Sequence, residues 1–456
     1  MAATVSPIAE TVPTEILESI FSYSTYEDVL HSIQNVCSRW RQVSQSSRVW
    51  KHLEYCPKMD TGCKQIVEML KVSPKLQNLI LKKECDDSVL QAITDNCAEL
   101  KKLKMIRQQY FDFNFMKDLQ EQCTKIEYLS IGGKVLENLD MCKAVGKFTN
   151  LKVLIVTGLV AAFDSISLRP LAEHCKKLEH FEFRSIMFEM CDLRNLLYMR
   201  KETLTTLGIY CCSESGECVL PAVSVCKLKS LSLFAYWRCD RDVNKIKHFG
   251  QLKTLKALTI EDLPYEESDL IRKIFENENM SQLKKLSLYN SCYFDDNVTD
   301  AIFKNCPMLQ TLTLERCRNM TDDSLKILCN FEELTSLTIS SNDIINSGFL
   351  HLQDMHHLEC LRIANCCRLS KKGFECIANL SKLRELKLWR QDLAEFPWNS
   401  IPCHMKYLRC LGIYDCKNVD MCAIEKLKRH LPALSVSCQE SEQCDFRRDF
   451  RWDHWY

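Results

Sequence analysis

The chain repeats one apolar motif about every 25 residues, from residue 76 to its end. The motif is Leu-x-x-Leu-x-Leu or a close apolar substitute, and consecutive copies begin 23 to 28 residues apart. A period of this length is typical of a solenoid, which offers an extended surface and so predicts a protein that binds another protein. The fifteen copies begin at Leu76, Leu100, Ile126, Leu151, Leu178, Leu204, Leu228, Leu255, Leu283, Leu309, Leu334, Leu358, Leu383, Leu408 and Leu431.

Charge and hydropathy exclude several classes of partner. The chain has 60 basic and 60 acidic residues, so nothing favours a polyanion such as nucleic acid or an anionic membrane. The N-terminal decapeptide has neither a basic start nor an apolar core, and the longest apolar stretch, near Val153–Phe163, is too short to span a bilayer. We therefore expect a cytoplasmic protein, with the nucleus as a second location.

The 28 cysteines follow the repeat rather than a metal-binding pattern. No two cysteines have Cys-x-x-Cys spacing, so the commonest zinc motif is missing. A free cysteine behaves as a small buried hydrophobe, so we expect these thiols to be structural. We expect the chain to have no metal site, no cofactor and no catalytic residue. Those in repeat register are Cys97, Cys123, Cys175 and Cys306, three residues before a copy begins, and Cys212, Cys317, Cys366 and Cys416, eight residues after one begins.

Each repeat predicts one strand and one helix. Alternate residues of the motif point inward from a strand, and the following segment has apolar residues at helical spacing. Asp86 and Thr321 stand where helix N-caps are expected. The predicted fold class is α/β: a horseshoe solenoid with its strands on the concave side, preceded by a small all-α domain.

One repeat follows the pattern of a known family. The segment 306–322, CPMLQTLTLERCRNMTD, resembles the cysteine-containing type of leucine-rich repeat. The resemblance covers roughly residues 50–438, which implies a leucine-rich-repeat solenoid. The turn between Leu388 and Leu408 departs from it, since Pro397 and Pro402 interrupt the return segment.

The first fifty residues have a different pattern. Residues 12–21 place Pro13 and Thr14 before a short amphipathic segment, and residues 27–43 form a second amphipathic run. About forty residues make only a marginal core alone. We therefore expect a three-helix element that docks on another surface. The predicted stripe of the second run consists of Val29, Ile33, Val36 and Trp40.

This segment resembles an F-box. The family has Leu-Pro, a Glu with an apolar pair, an Asp-led helix, Val-Cys-x-x-Trp and a closing Trp. The chain departs from this pattern at Val12, Ser24 and Tyr26, and an ordinary helical cap is the alternative interpretation. The matching positions are Pro13, Glu15, Ile16, Leu17, Asp28, Val29, Val36, Cys37, Trp40 and Trp50.

Repeat spacing predicts how the two parts join. Trp50, Leu53 and Tyr55 each stand 26 residues before the corresponding position of the first copy, so we expect a degenerate first strand there. No Gly/Ser-rich linker intervenes, which predicts a rigid junction. The expected organisation is a disordered N-terminus over 1–9, an F-box over 10–53, a solenoid over 54–438 and an aromatic C-terminal tail or cap over 439–456.

An F-box followed by such repeats implies the substrate-recognition subunit of an SCF-type ubiquitin ligase. In that family the F-box binds a Skp-family adaptor, which bridges to cullin and RING subunits, and the repeats hold a protein substrate for proteasomal degradation. The alternatives are a non-degradative leucine-rich-repeat scaffold, a horseshoe-type inhibitor, and an enzyme, which no motif supports. The expected adaptor-binding residues are Pro13, Ile16, Leu17, Ile20, Val29, Leu30, Ile33 and Val36, with Trp40 and Trp50 shared with the F-box core.

The expected substrate surface is the concave face. Its residues in the middle of the solenoid are small and hydroxylic, such as Thr311 and Thr313. The position after each strand's last inward residue is enriched in aromatic side chains, which anchor interfaces. Packing against a neighbouring loop is an equally weighted alternative. The aromatic residues at this position are Tyr210, Phe234, Tyr289, Trp389 and Tyr414.

The C-terminal eleven residues, 446–456, include five aromatic residues among charges of both signs. A solvated tail would be poor in aromatic residues, so we expect this one to dock. It either caps the last repeat or folds over the concave face, with Trp452, Trp455 and Tyr456 as contacts.

Overall fold

The computed structural model divides into two compact units, Met1–Tyr210 and Cys211–Tyr456, called unit 1 and unit 2 here. It describes residues 11–106, 113–132, 139–157, 167–184, 190–210, 219–234, 248–261, 268–276, 280–290, 294–317, 319–340, 346–365 and 369–439. The expected disordered N-terminus therefore lies outside the described residues, as does all but the first residue of the C-terminal tail.

Unit 1 begins with short helices and continues as parallel strands that alternate with helices. The strands pair in sequence order. Its described elements are α1 (Thr14–Ser22), a π-helical turn (Asp28–Ser32), a 3-10 turn (Ile33–Asn35), α2 (Ser38–Ser44), α3 (Ser47–His52), β1 (Glu54–Tyr55), α4 (Cys63–Lys71), β2 (Asn78–Leu81), α5 (Asp87–Asn96), β3 (Lys102–Met105), α6 (Phe113–Gln122), β4 (Tyr128–Gly132), α7 (Leu139–Gly146), β5 (Val153–Thr157), α8 (Arg169–His174), β6 (His180–Arg184), α9 (Met190–Arg200) and β7 (Thr206–Tyr210).

Unit 2 continues the same alternation, again with parallel strands in sequence order. Between β14 and β15, where two prolines predict an irregular return segment, the only described helix is four residues long. The described elements are α10 (Leu220–Val223), β8 (Ser230–Phe234), β9 (Ala257–Glu261), α11 (Ser268–Phe275), β10 (Lys285–Tyr289), α12 (Asp296–Asn305), β11 (Thr311–Glu315), α13 (Asp322–Leu328), β12 (Ser336–Ser340), α14 (Asn346–Phe349), a 3-10 turn (Leu350–Asp354), β13 (Cys360–Ala364), α15 (Lys371–Ala378), β14 (Glu385–Trp389), α16 (Ile401–His404), β15 (Cys410–Tyr414), α17 (Met421–His430) and β16 (Ser435–Gln439).

Strand register confirms the repeat that the sequence predicts, except that in the last copy Val436 rather than Leu434 pairs with Leu411. Leu312 of β11 pairs with Leu286 of β10 and with Leu337 of β12, so equivalent motif positions stack across neighbouring repeats. Each of these side chains is fully buried. Every repeat covers the apolar face that its neighbour could not bury alone, which is the basis of solenoid stability. The fold class is therefore an F-box-like helical element followed by leucine-rich-repeat units.

The predicted caps also form. The Asp86 carboxylate accepts a hydrogen bond from the Val89 backbone N–H at the start of α5. The Thr321 hydroxyl accepts one from the Asp323 N–H at the start of α13. Both satisfy donors that a helix leaves without an internal partner.

The first strand exists, but the predicted register is wrong by two residues. Tyr55, rather than Leu53, pairs with Leu79, the second inward position of the next repeat. Trp50 belongs to α3 and not to the strand. The physical reason is that α3 continues to His52, so that the chain can extend only from residue 53 onward.

The second amphipathic run is not one continuous helix. Cys37 has extended backbone (φ −161°, ψ 170°), and its Sγ accepts a hydrogen bond from the Trp40 N–H to cap α2. The helical stripe predicted across this point is therefore broken. Ile33 and Val36 both precede the break, and Ile33 is buried whereas Val36 is 46% exposed.

A buried carboxylate ties α8 to α9 in unit 1. The side chain of Asp192, on α9, accepts hydrogen bonds from the Ser167 hydroxyl at 2.5 Å, the Leu168 backbone N–H at 3.1 Å and Arg169 Nε at 2.9 Å. Burial raises the pKa of Asp192, but these donors together outweigh burial and hold the pKa below its ordinary value. The ionised carboxylate therefore stabilises the fold.

We expect Asp192→Ala to lower the free energy of unfolding at neutral pH by about 1.5–3 kcal/mol, the contribution of hydrogen bonds to a charged group. Because the folded-state pKa is depressed, this contribution is full above the unfolded-state pKa and disappears as the pH falls through the folded value. Urea unfolding of the full chain at pH 7 and at about pH 3 measures the difference. The exposed carboxylate variant Glu173→Ala, on α8, is the control. An undiminished Asp192→Ala effect at the acidic pH would contradict this account.

Candidate protein-binding surfaces

Helix α1 exposes a stripe of apolar side chains. Ile16 is 51% exposed, Ile20 is 52% exposed and Tyr23 is 89% exposed. Residues three and four apart lie on one face of a helix, so these three side chains, called the α1 stripe here, form a continuous surface. Pro13, just before α1, is also exposed. Exposed apolar side chains grouped on one helix face are typical of a protein-binding site.

Most of the other expected adaptor residues lie inside the F-box, whereas Val36 is 46% exposed. Leu17 is 2% exposed because it faces the opposite side of α1 from the stripe. Trp40 is half-buried, with its ring 5.0 Å from that of Phe21. An adaptor could reach the buried side chains only if the F-box helices moved apart, and adaptor contact stays a prediction for all ten residues. Those buried with Leu17 are Val29, Leu30, Ile33 and Trp50.

Tyr26, a departure from the F-box pattern, joins the F-box to the first repeat. Its ring stacks on Tyr55 of β1 at 4.5 Å and meets Trp50 edge-on at 5.9 Å. Its hydroxyl donates to the carbonyl of Met69, near the end of α4, and hydrogen-bonds to the hydroxyl of Ser73, just beyond that helix. A polar tip on a buried ring requires such partners. Where the family pattern has an apolar residue, Tyr26 thus adds hydrogen bonds that fix the orientation of the F-box on the first repeat.

Further hydrogen bonds cross the same junction. Asn78, at the start of β2, donates through Nδ2 to the carbonyls of Lys51 and Leu53. Lys75 Nζ donates to the Gln45 carbonyl at 2.7 Å. The junction in unit 1 therefore combines aromatic packing with backbone-directed hydrogen bonds, as expected of two parts joined without a linker.

The second candidate surface lies on the strands of unit 2. The second and fourth residues of each strand point into the core, so the first, third and fifth residues form the opposite side, called the outward sheet face here. Its third-residue column runs through Ser287, Thr313 and Thr338, which pair in register across β10–β12. This part of the face is hydroxylic, as the sequence predicts.

Charged side chains follow on β13 and β14. Arg362 donates through Nε to Glu385 Oε1 at 2.6 Å, and Lys387 Nζ lies 3.5 Å from the same oxygen. The Arg362 and Lys387 side chains are only 8% and 12% exposed. Burial raises the pKa of Glu385, but Arg362 and Lys387 outweigh it and hold that pKa low. Two cations thus contact one carboxylate on this part of the face.

An aromatic pair adjoins the charges. The rings of Trp389 and Tyr414 stack at 4.7 Å with an interplanar angle of 21°, and both pack with Ala364. Gly412 makes room for the Tyr414 ring, because a Cβ at position 412 would lie 2.5 Å from Tyr414 Cε2 and 2.9 Å from Lys387 Cγ. The Tyr414 ring therefore lies back across its own strand.

The structure places four of the expected substrate residues in buried positions. Phe234 and Tyr289 are each 6% exposed, Trp389 is 3% exposed and Tyr414 is 9% exposed. The side chain of Tyr210 lies outside the described part, as do Trp452, Trp455 and Tyr456. Substrate contact stays a prediction for all of them, and so does packing against a neighbouring loop, because the Trp389–Tyr414 stack joins two adjacent strands.

Sequence reasoning overlooked the charges on this face. The signal for Arg362, Glu385 and Lys387 was present, since each stands at an outward position of its motif. Outward charged residues are ordinarily solvated, so the motif alone does not predict that these three pair and become buried.

We expect Trp389→Ala and Tyr414→Ala to be coupled by about 0.5–1.5 kcal/mol in a double-mutant cycle on unfolding free energy, because each ring loses its stacking partner in the other variant. The control cycle pairs Trp389→Ala with Tyr289→Ala. Those residues lie on β14 and β10, about 19 Å apart at the usual strand spacing. At that distance the two changes in unfolding free energy are expected to be additive. Equal coupling in both cycles would contradict a specific stack.

The described cysteines include buried thiols that are unsuited to nucleophilic chemistry. Burial raises the pKa of the Cys97, Cys123, Cys175 and Cys306 thiols to about 12. A thiolate, not a thiol, is the nucleophile and the metal ligand. Within the described ranges no cluster of His, Cys, Asp and Glu suits a metal ion. No helix there is long and apolar enough to cross a bilayer.

Comparisons with known proteins agree with the fold. The F-box-like family model matches residues 9–55. A chain of the yeast Rad7–Elc1 complex is similar over 96% of this chain and 98% of its own length, with 14% identity and a TM-score of 0.50. The internalin InlF of Listeria monocytogenes covers 97% of this chain and all of its own, at 15% identity and a TM-score of 0.36. The chain thus carries an F-box-like domain ahead of its leucine-rich repeats.

Proposed function

We propose that the chain is the substrate-recognition subunit of an SCF-type ubiquitin ligase. Its F-box would bind a Skp-family adaptor and, through it, cullin and RING subunits, while the repeats hold a protein substrate for degradation. The observation that carries the proposal is the α1 stripe, Ile16, Ile20 and Tyr23, which is exposed on the segment that matches the F-box-like model. The site of action would be the cytoplasm, with the nucleus as a second location.

The proposed mechanism is proximity rather than catalysis. A receptor of this kind raises the effective concentration of a substrate beside a charged ubiquitin-conjugating enzyme. A flexible junction would dilute that concentration. The Tyr26 contacts with Tyr55 and Ser73 would instead fix the F-box to the first repeat. The domain limits proposed for this arrangement are 10–53 for the F-box and 54–438 for the repeats.

Co-purification with an adaptor tests the proposal. The full chain is co-expressed with a Skp-family adaptor, and the expected result is a stoichiometric complex on size exclusion. A parallel arm uses Elc1, since the Rad7–Elc1 complex contains a chain with a similar fold. Binding to Elc1 alone would replace the Skp-family adaptor in the proposal. Binding to neither would refute it and favour the helical-cap interpretation.

The second candidate function is a non-degradative scaffold, favoured by the extended sheet face of unit 2, which needs no ligase to bind a partner. Depleting the chain from cells separates the two functions. Proteins captured by the repeats should accumulate if the chain directs degradation. Unchanged abundance of those partners, despite adaptor binding, would favour the scaffold.

A further inference from the structure

A lysine stands directly before each of three consecutive strands in unit 2. Lys229 precedes β8, Lys256 precedes β9 and Lys284 precedes β10. Their backbones form one ladder, because the Lys256 N–H donates to the Lys229 carbonyl and the Lys284 N–H donates to the Lys256 carbonyl, each at 2.8 Å. The three residues therefore occupy the same position of successive repeats, and they are called the lysine column here.

Further lysines flank the column. The segments that lead into the three strands are KLK (227–229), KTLK (253–256) and QLKK (282–285), and they contain no acidic residue, no arginine and no aromatic residue. Five of their six lysines are exposed, and Lys284 is half-buried. Neighbouring strands of a sheet lie about 4.8 Å apart, so the column places three lysines within about 10 Å.

The same position of the repeat alternates in charge in unit 1. Glu127, Lys152 and Glu179 form the equivalent backbone ladder, since the Lys152 N–H donates to the Glu127 carbonyl and the Glu179 N–H to the Lys152 carbonyl. Lys152 Nζ lies 2.7 Å from Glu127 Oε2. Opposite charges on neighbouring strands stabilise a sheet, whereas like charges destabilise it. The repeat can therefore hold carboxylates at this position, yet unit 2 has three lysines there in succession.

The lysine column is not neutralised within the described part of the chain. None of the ion pairs between described residues includes Lys229, Lys256 or Lys284. A group of like charges at a surface creates a local potential that attracts ligands of the opposite charge. The column is therefore suited to bind an anionic partner.

The composition of the column favours carboxylates of a protein over a nucleic acid. Sites for single-stranded nucleic acids combine a basic groove with aromatic side chains on which bases stack, and duplex-binding domains are strongly basic overall. The three lysine-rich segments contain no aromatic residue, and the chain has 60 basic and 60 acidic residues. Lysine is a point charge on a flexible stem, so it pairs with carboxylates without a fixed geometry.

An extended acidic segment also matches the column in length. Alternate residues of an extended chain lie on the same side, about 6.6 Å apart. Three acidic residues at alternate positions therefore span about 13 Å, close to the length of about 10 Å that the column covers. The flexible lysine stems can bridge the difference.

We propose that the lysine column binds a carboxylate-rich, extended segment of a partner protein. This surface lies at the edge of the sheet where the strands of unit 2 begin, and so differs from the outward sheet face that the sequence favours. In the proposed ligase the partner is the substrate, and that identification rests on the proposed function. The contact itself requires neither the adaptor nor degradation.

Fluorescence anisotropy with the full chain, without an adaptor, tests this contact. The probe is a fluorescein-labelled peptide of alternating glutamate and glycine, and a peptide of alternating glutamine and glycine is its neutral counterpart. We expect only the acidic probe to bind, with an affinity that falls as salt rises, because salt screens exposed charges. Lys229→Gln, Lys256→Gln and Lys284→Gln combined should weaken binding by about 3- to 150-fold, the range that three exposed charge pairs provide.

The matched control removes three lysines of unit 1 that already have carboxylate partners. It changes the net charge by the same amount and should leave the affinity for the acidic probe unchanged. If the variant of the lysine column does not fold, Lys256→Glu alone replaces it, since it reverses one exposed charge at the middle of the column. The control substitutions are Lys102→Gln, Lys125→Gln and Lys152→Gln, whose Nζ atoms lie 2.9, 2.5 and 2.7 Å from carboxylate oxygens of Glu54, Glu99 and Glu127.

Equal weakening in the two triple variants would overturn the proposal, because it would show only a general effect of net charge. It would also be overturned if the acidic probe did not bind at low salt, or if a single-stranded oligonucleotide of equal charge bound more tightly. Adaptor co-purification is a separate measurement. Its failure would refute the ligase role without changing the titration, and a failed titration would leave adaptor binding intact.

Discussion

Replacing Ile16 and Ile20 together by alanine is expected to weaken adaptor binding strongly while the repeats stay folded. Each side chain still exposes about half of its surface, so docking buries only that half. Full burial of an isoleucine contributes about 1.5–3 kcal/mol, which gives about 1.5–3 kcal/mol for the two halves together. That corresponds to roughly 10- to 150-fold weaker binding. Co-purification and a titration with purified adaptor measure the loss.

The matched control replaces Met59 and Val72, which are 53% and 60% exposed in the same unit but lie outside α1. This pair should leave adaptor affinity unchanged. Leu17→Ala is unsuitable for the same purpose, because its side chain is 2% exposed and its loss would disturb the F-box core. Wild-type affinity of the Ile16→Ala, Ile20→Ala double variant would show that the α1 stripe is not the adaptor face.

Much of the fold could be predicted because the repeat is redundant. A register error at Leu312 would expose the inward residues of its neighbours as well, so each copy of the motif fixes the next. The start of the solenoid lacks this support on one side. There the spacing alone placed Leu53 where the structure has Tyr55, because spacing does not show that α3 continues to His52.

The F-box was harder to predict in detail for a different reason. Its pattern contains both the residues of its own core and those of its binding face, and hydrophobicity does not distinguish them. Ile16 and Leu17 are adjacent and equally apolar, yet one is 51% exposed and the other 2% exposed. Their separation depends on which side of α1 packs against the other helices. That is a tertiary property, so only the structure identifies the accessible half of the predicted residues.

On the outward sheet face, too, the sequence does not predict which residues are accessible. Alternation in a strand predicts that Trp389 and Tyr414 leave the core, and on their own strands they do. Whether they then face water, each other or another segment depends on contacts between repeats. The Trp389–Tyr414 stack needs Gly412 beneath it, and nothing in the motif reserves that position for glycine.

Leu312→Ala should be the most damaging single change in the repeats. The side chain is fully buried between Leu286 and Leu337, so its removal leaves a cavity that two neighbouring repeats line. Such substitutions lower the free energy of unfolding by about 2–5 kcal/mol, with the larger values where the surroundings cannot collapse. Denaturant unfolding of the full chain, followed by circular dichroism, measures the change.

A leucine-to-alanine change in the final repeat provides the matched control for Leu312→Ala. Leu431 directly follows α17 in the last repeat and is only half-buried, and the strand that comes after it, β16, has a described neighbour on one side only. Because stability in a solenoid comes from contacts between neighbouring repeats, Leu431→Ala should cost clearly less than Leu312→Ala. Equal losses at the two positions would show that the last repeat is covered as completely as the middle one. That result would favour a C-terminal cap over a segment that lies across the sheet face.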